Sequence, residues 1–405
     1  MKSLKNQLDK NIKPHFEKGG KLEKLHALYD AVDTFLFVPN STSKSGVHIH
    51  DARDSKRTMS IVILALIPAL LFGMYNVGYQ HYLSIGATPV FWESFVFGLL
   101  AILPVIIVSY AVGLGIEIVI AQVKGHEVQE GFLVTGILIP MIVPVDTPLW
   151  MIALATAFAV VFAKEVFGGT GYNVFNVALV TRAFLFFAYP SKMSGDQVWV
   201  RSGNSFGFGD ATVVDGVAQT VDAYSGATPL GQIESATGNS VVFHDTMGNP
   251  LSLWDMFVGL IPGSVGETST LAILIGALIL ITLGVASWKT IFSVFAGGML
   301  TALLLNTLSV IPAMSISPLQ HVLLGGFAFG TVFMATDPVT SARTEKGKWI
   351  YGFLIGVLTI LIRVFNPGFP EGMMLAILFM NAFAPVIDYF IVEQNIKKRL
   401  KRASK

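Results

Sequence analysis

Hydrophobic and polar positions along this chain form long separate blocks, and the apolar blocks have the length of membrane-spanning helices. A helix that crosses the hydrocarbon core of a bilayer needs about 20 predominantly apolar residues. Such runs lie near residues 58–78, 93–121, 130–145, 148–165, 174–190, 268–287, 289–307, 319–336, 349–365 and 372–393. The pattern therefore predicts an all-α polytopic membrane protein with about ten transmembrane helices, five on each side of one long polar segment.

The same blocks divide the chain into five parts. They are a polar N-terminal segment at 1–57, a first five-helix block at 58–190, a loop at 191–267, a second five-helix block at 268–393 and a basic tail at 394–405. The N-terminal segment carries apolar residues at helical spacing beside lysines, namely Leu22, Leu25, Leu28 and Tyr29. This spacing predicts a short amphipathic helix at a membrane surface or a subunit interface, with a solvated polar segment as the alternative.

Positive charges predict the orientation, because Lys and Arg that flank membrane helices stay preferentially in the cytoplasm. Residues 1–57 carry eleven Lys and Arg against seven Asp and Glu, and the C-terminal tail is basic. Between Pro190 and Trp254, by contrast, Lys192 and Arg201 are outnumbered by six acidic residues. We therefore expect both termini in the cytoplasm and the 191–267 loop on the extracytoplasmic side.

The number of predicted helices also bears on symmetry. Five helices in each half would give the two halves opposite orientations in the membrane. Short echoes support this relation, since Asp146-Thr147-Pro148 follows the third predicted helix and Asp337-Pro338 follows the eighth. Asn176 and Asn381 lie in the fifth and the tenth. The sequence thus predicts two inverted five-helix repeats.

Composition narrows the chemistry. The chain is 53% hydrophobic and 13% charged, whereas an ordinary soluble domain has about 25% charged residues. A net charge of +1 excludes a strongly basic nucleic-acid-binding protein. The chain has no cysteine, so disulfides, thiol nucleophiles and cysteine-ligated iron–sulfur clusters are excluded. His81, His244 and His321 lack the spacing of metal ligands, and we expect no metal site.

The loop contains one hydrophilic stretch with a candidate for covalent modification. Thr228 ends the sequence Asp222-Ala-Tyr-Ser225-Gly226-Ala227-Thr228. The small residues before it leave its hydroxyl within reach of a modifying enzyme. A phosphoester on that hydroxyl would tether a flavin mononucleotide through its phosphate. The alternative is an unmodified surface turn rich in Ser and Gly.

Polar residues at the fifth predicted helix are candidates for binding a cofactor. A glycine-rich run that includes Gly169, Asn173 and Asn176 precedes this helix but follows a membrane segment, so it is not a dinucleotide-binding fingerprint. Arg182 lies inside the helix, where a lone cation costs several kcal/mol unless it is paired. Its partner would be a flavin phosphate or a carboxylate, and a structural ion pair is equally supported.

A candidate ion route comes from the eighth predicted helix. Phe329, Phe333 and Asp337 are four residues apart, so on a continuous helix they share one face. Two rings and an acid at the inner end would form a cation attractor beside a hydrophobic constriction. A plain helix end at Asp337-Pro338 is the alternative. Asp146 is the counterpart of Asp337 by inverted symmetry, and Asp388 is a further acid in the tenth predicted helix.

These motifs together resemble one family of membrane subunits. The resemblance depends on the Asp222–Thr228 motif, the Phe167–Asn176 and Gly263–Ser269 runs, the Asp-Pro after the eighth predicted helix, and ten helices in two halves. They are similar to those of the B subunits of sodium-translocating NADH:quinone oxidoreductases and of the D subunits of Rnf complexes. The 57 polar residues before the first helix favour the former. That family in turn resembles urea-transporter-like folds.

The resemblance implies a multi-pass subunit in the bacterial inner membrane, with Thr228 periplasmic. It implies covalent FMN on Thr228 placed by a flavin transferase, non-covalent riboflavin among the helices, ubiquinone reduction, and export of Na⁺ coupled to electron flow. It also implies five partners in the same complex, the A, C, D, E and F subunits. A cytoplasmic quinone site would need an apolar cleft near a mobile glycine, for which Gly136 is the candidate. The alternatives are a D-type subunit of an Rnf ferredoxin:NAD oxidoreductase, and a passive channel or transporter of the same fold.

Overall fold

The computed structural model of this chain describes residues 10, 12–16, 20, 29, 55–124, 131–193, 195, 199–201, 213–214, 217–218, 226–233, 241–366 and 371–403. The first half of the chain is helical. Its helices are α1 (Lys13–Phe16), α2 (Ser55–Ser84), α3 (Phe91–Lys124), α4 (Gly131–Ile142), α5 (Leu149–Ala159) and α6 (Val177–Ala188). A π-helix at Val160–Lys164 and a 3₁₀ turn at Glu165–Phe167 continue α5.

The second half is helical as well. Its helices are α7 (Leu253–Val258), α8 (Thr270–Thr282), α9 (Trp288–Leu308), α10 (Pro318–Leu323), α11 (Phe327–Phe329), α12 (Glu345–Phe365) and α13 (Met373–Ala403). A π-helix at Gly330–Met334 continues α11, and short 3₁₀ turns lie at Pro190–Lys192, Gly231–Ile233 and Pro312–Ser315. The loop between the halves adds two antiparallel strands of two residues each, β1 (Val213–Val214) and β2 (Val217–Ala218).

Six helical stretches in the described part of the chain are long and apolar enough to cross a membrane. They are Lys56–Ser84, Phe91–Lys124, Leu149–Phe167, Trp288–Leu308, Glu345–Phe365 and Met373–Ala403. The protein is therefore a multi-pass helical membrane protein, as the hydropathy pattern predicts. The predicted amphipathic helix at residues 22–29 lies outside the described residues apart from Tyr29, which stacks on Phe16 with ring centroids 5.4 Å apart.

The remaining predicted spans contain short or broken helices. The helices α4, α6 and α8 have 12, 12 and 13 residues. The side chain of Asn176 caps α6 by accepting from the Leu179 N–H at 3.2 Å, and Ser269 caps α8 in the same way. Backbone groups freed by such breaks must be satisfied within a membrane protein, and the Gly266 N–H bonds the Met141 carbonyl at 2.8 Å. The breaks therefore lie where polar chain ends can meet inside the protein.

Small residues allow the closest helix packing. A Cβ atom on Gly356 of α12 would overlap the backbone of Val294 in α9, and one on Gly297 of α9 would overlap the backbone of Phe353. Membrane helices approach most closely where both surfaces carry small residues. The α9–α12 pair therefore forms the tight packing of the second half.

The two asparagines that echo each other along the sequence meet in space. The side-chain amide of Asn381 in α13 donates to the Tyr351 hydroxyl at 2.8 Å and accepts from the backbone N–H of Asn176 at 3.3 Å. Asn381 is 1% exposed and Tyr351 is fully buried. A buried polar contact of this kind joins α6 from the first half to α12 and α13 from the second.

We expect Gly356→Leu to lower the unfolding midpoint of the detergent-solubilised protein strongly, because a side chain there must push α9 away from α12. Overpacking of this kind typically costs about 1–3 kcal/mol or more. Gly115→Leu in α3 is the matched control, since a Cβ atom at Gly115 meets nothing within 4 Å. Equal midpoints for the two variants in thermal unfolding would contradict the packing described.

Candidate functional site

Thr228 lies against the helices and not at an exposed loop tip. It is 7% exposed. Its backbone N–H donates to the Gly195 carbonyl at 2.8 Å, and its Oγ1 accepts from the Gly231 N–H at 3.0 Å. The expectation of a hydroxyl left accessible by small neighbours is therefore not met in this arrangement, because Thr228 is buried and its Oγ1 already accepts a hydrogen bond. Gly226 is buried and Ala227 half-buried, while Asp222 and Ser225 lie outside the described residues.

Thr228 borders a small cleft, which we name the threonine cleft. The cleft has a volume of about 20 Å³. It is lined by Thr228, Pro229, Leu230, Ile261, Pro262, Gly263, Ser264, Glu267, Thr268, Gly325 and Glu371. Two acidic side chains, supplied by segments far apart in sequence, thus face the same space as the candidate hydroxyl.

Arg182 is paired with both of these acids. Its guanidinium lies 2.5 Å from Glu267 Oε1 and 3.4 Å from Glu371 Oε2. The Arg182 and Glu267 side chains are 4% and 6% exposed, and the Ser264 hydroxyl donates to the second oxygen of Glu267 at 2.6 Å. The sequence predicted either a flavin phosphate or a carboxylate as the partner of Arg182, and in the structure its partners are carboxylates. The sequence did not predict this role for Glu267 and Glu371.

A second buried arginine completes the charge balance. Arg363 of α12 is 1% exposed. Its Nε and Nη2 atoms donate to the carbonyls of Glu371 and Leu324, both at 3.0 Å, and its Nη1 donates to the carbonyl of His321. We name Arg182, Arg363, Glu267 and Glu371 the four-charge cluster. Two cations and two anions leave it formally neutral beneath the threonine cleft.

The aromatic pair lies beside the segment that carries Glu267. The rings of Phe329 and Phe333 have centroids 5.0 Å apart, and both are buried. A Cβ atom on Gly266 would lie 2.8 Å from the Phe329 ring. Asp337, however, does not share a helical face with them, because the helix ends at Met334 and the chain then turns. The predicted common helical face of the three residues is wrong for this reason, and the alternative of a plain helix end before Asp337-Pro338 describes the chain here.

Asp337 instead borders a separate cavity, which we name the asparagine cavity. Its volume is about 90 Å³, and its polar lining includes Lys164, Thr170, Asn173, Asn176, Thr336 and Asp337, with Phe333 at its wall. Asp337 Oδ2 accepts from Asn176 Nδ2 at 3.3 Å and from Thr340 Oγ1 at 3.0 Å. Its Oδ1 accepts from the Val339 N–H at 3.0 Å. The acid thus caps the turn that follows the helix and also faces the cavity.

Lys164 forms a buried ion pair that the sequence did not predict. It bonds Glu117 of α3, and both side chains are 4% exposed. The ammonium group lies 5.9 Å from the centroid of the Phe132 ring. Glu117 and Lys164 are opposite charges within two apolar runs, and buried charges in membrane helices are usually paired. This pattern could have predicted the ion pair.

The other predicted site residues line neither the threonine cleft nor the asparagine cavity. Gly136 packs under the Tyr110 ring, which a Cβ atom would meet at 2.6 Å. Asp146 is 40% exposed and lies 3.8 Å from Arg201. Asp388 accepts hydrogen bonds from the Arg343 N–H, the Thr344 N–H and the Thr344 hydroxyl. Gly169 has a φ of +95° and donates its N–H to the Lys164 carbonyl.

These features define a multi-pass helical membrane protein with two buried polar sites at the junction of its halves. The NQR2, RnfD, RnfE family model matches residues 42–397, and the chain belongs to that family. This confirms the resemblance drawn from the motifs.

Curated relatives cover nearly the whole chain, and three of them are named as the B subunit of Na(+)-translocating NADH-quinone reductase. The protein of Chromohalobacter salexigens is 47% identical over 422 residues, covering 98% of this chain and 96% of the relative. That of Ectopseudomonas mendocina is 46% identical, covering 98% of each. That of Klebsiella pneumoniae is 45% identical, covering 98% of this chain and 99% of the relative. These relatives are subunits of an oxidoreductase complex that acts as a translocase.

We expect Arg182→Met to destabilise the protein by about 3–5 kcal/mol, because it leaves Glu267 and Glu371 without their shared cation. The double variant Arg182→Met/Glu267→Gln should recover part of that loss. Thermal unfolding in detergent measures both effects. The control Lys397→Met removes an exposed pair with Glu393 at 2.7 Å, which is worth about 0–1 kcal/mol. An Arg182→Met variant as stable as this control would refute the role of the four-charge cluster.

Proposed function

We propose that this chain is the membrane subunit of a redox-driven Na⁺ pump, in which electrons pass from FMN on Thr228 through riboflavin to ubiquinone. The printed names of relatives 45–47% identical support the Na⁺, NADH and quinone parts of this proposal. The observation that carries the site assignment is that Thr228 lines a cleft together with Glu267 and Glu371, the two acids of the four-charge cluster. The partners are the A, C, D, E and F subunits and a flavin transferase.

The proposed arrangement in the membrane has ten helical segments in two inverted five-helix repeats, urea-transporter-like. Six long helices and four short or broken segments support this count. The contact between Asn176 and Asn381, which the sequence predicts to be equivalent positions in the two halves, is compatible with this symmetry. Both termini are cytoplasmic in this proposal, and Thr228 is periplasmic in a bacterial inner membrane, because cationic residues concentrate at the termini.

Thr228 would hold FMN by a phosphoester. The cleft of about 20 Å³ has room for a water-sized group, so a phosphate oxygen fits inside it and the flavin ring does not. The four-charge cluster already balances its own charges, so the acids that line the cleft present no unpaired negative charge to a phosphate. Bound flavin supplies electron-transfer chemistry, and the protein supplies its position and electrostatic surroundings.

Riboflavin would bind at the asparagine cavity. Asn173 and Asn176 line it, and a side-chain amide both donates and accepts hydrogen bonds, as the polar edge of a flavin requires. The Thr170 Oγ1 atom, which has no partner among the described residues, lies on the same lining. Arg182 is engaged by Glu267 and Glu371, and Gly169 is outside the lining, so the asparagines carry this assignment.

Na⁺ would enter at Asp337. Its carboxylate lies on the asparagine cavity, and Phe333 and Phe329 separate that cavity from the segment of Gly266 and Glu267. An acid before an aromatic constriction concentrates cations at a barrier that must move before they pass. Asp146 and Asp388 remain predicted members of the route. Gly136 remains the predicted quinone site, and we propose that the N-terminal amphipathic segment covers it. Residues 21–28 of that segment lie outside the described residues.

We expect Thr228→Ala to abolish the flavin fluorescence that stays with the denatured subunit in a gel. Thr228→Ser should retain part of it, because a hydroxyl remains. Thr147→Ala is the control, since Thr147 is another buried threonine outside the motif. Undiminished fluorescence in Thr228→Ala would refute the attachment site. A wild-type protein without covalent flavin would favour a passive channel or transporter of the same fold.

We expect Asp337→Ala to raise the Na⁺ concentration for half-maximal quinone reduction in the assembled complex, while Thr228 stays flavinylated. Asp337→Asn should have the same effect on Na⁺ dependence, because the amide loses the charge but keeps one oxygen as the acceptor for the Val339 N–H, and its NH₂ group can donate to the Thr340 hydroxyl. Comparing the two variants separates loss of charge from loss of the cap. An unchanged Na⁺ dependence in both would remove Asp337 from the route.

A further inference from the structure

One hydroxyl of the threonine cleft lacks a partner. Thr268 is 3% exposed and lines the cleft together with Thr228. Its Oγ1 atom makes no hydrogen bond within the part of the chain that the structure describes. A buried hydroxyl without a partner costs free energy that a bound ligand can recover. Thr268 therefore calls for an explanation that the fold alone does not supply.

The neighbouring hydroxyls are all used. Ser264 donates to Glu267 at 2.6 Å, Ser269 accepts from the Ala272 N–H at 3.2 Å, and Thr270 donates to the Leu323 carbonyl at 3.3 Å. The same short segment thus satisfies three hydroxyls and leaves that of Thr268 unbonded. Within this described segment, the Thr268 hydroxyl is therefore the one that remains available to a ligand in the cleft.

The charged groups around the cleft bear on which donor an anionic ligand at Thr228 would find. Arg182 and Ser264 occupy both oxygens of Glu267, and Arg182 also contacts Glu371. Arg363 donates three hydrogen bonds to backbone carbonyls and, like Arg182, is not one of the residues that line the cleft. Among the described residues, the cleft lining contains no arginine, and the Thr268 hydroxyl is an unused donor on that lining that an anion held at Thr228 can bind. Hydrogen bonds to charged acceptors are the stronger kind.

We propose that the Thr268 hydroxyl donates a hydrogen bond to a phosphate oxygen of the flavin phosphoester on Thr228. This inference rests on the proposed attachment of FMN at Thr228. The bond would fix the phosphate at the cleft and so position the flavin ring outside it. Thr268 is a positioning residue in this assignment and does not touch the reacting ring.

A double-mutant cycle on the assembled complex tests the assignment. Thr268→Val keeps the side-chain shape and removes the hydroxyl, Thr268→Ser keeps the hydroxyl, and each is combined with Thr228→Ala. In the flavinylated protein, Thr268→Val should lower the unfolding midpoint, because it breaks the bond to phosphate. In the Thr228→Ala background it should raise the midpoint, because it removes an unsatisfied hydroxyl. Thr268→Ser should behave as wild type in both backgrounds.

Iodide quenching of the covalent flavin gives a second measurement. Thr268→Val should raise about tenfold the fraction of protein whose flavin phosphate has left the cleft, as expected for the loss of one hydrogen bond to a charged group. The ring outside the cleft is then held less firmly, and iodide should quench it more. Thr156→Val is the control, since Thr156 of α5 is another buried hydroxyl without a partner among the described residues but lies outside the cleft lining. It should shift the midpoint equally in both backgrounds and leave quenching unchanged.

The outcomes separate this assignment from the proposed function. If the wild-type protein carries no covalent flavin, both the proposed function and the role of Thr268 are refuted. If flavin is present and Thr268→Val shifts the midpoint equally with and without Thr228, only the role of Thr268 falls. Opposite shifts in the two backgrounds, with increased quenching, establish it.

Discussion

The structure at the junction of the two halves depends on Arg182 lying between two glutamates. A buried cation in a membrane protein is stable only when its partners are held in place. The partners of Arg182 come from residues 267 and 371, which precede α8 and α13. One guanidinium thus ties together three chain segments that hydropathy alone would leave independent. The threonine cleft exists because this pairing brings Glu267 and Glu371 to one wall.

A chain of neighbouring residues connects the two candidate sites, the asparagine cavity and the threonine cleft. The asparagine cavity borders Phe333, Phe333 stacks near Phe329, and Phe329 lies against Gly266. The next residue, Glu267, belongs to the four-charge cluster and to the threonine cleft. A segment of two residues therefore contacts both the aromatic pair and the proposed flavin attachment site. That adjacency is the physical requirement for any coupling between charge at the cleft and movement of the rings.

The sequence predicts those features of this arrangement that depend on residues close together in the chain. Apolar runs of membrane length, the Asp222–Thr228 motif and the isolated Arg182 are all visible within about 20 residues. The sequence could not predict that Arg182 pairs with Glu267 and Glu371, which lie 85 and 189 positions away. Hydropathy and spacing carry no information on which helix ends meet. Nor could the sequence place Thr228 in a cleft, because the other walls of that cleft come from residues 261–268, Gly325 and Glu371, which are distant in sequence.

The two π-helices show why spacing arguments failed at the asparagine cavity. A π-helix adds a residue to a turn and redirects the side chains that follow, often at functional sites. The stretch Val160–Lys164 ends on Lys164, which points to Glu117 and lines the cavity instead of flanking the membrane. The stretch Gly330–Met334 contains Phe333 on the wall of the same cavity and ends before Asp337. Each half of the chain thus supplies one helix irregularity to the cavity, and the spacing argument failed at Asp337 because the helix ends before that residue.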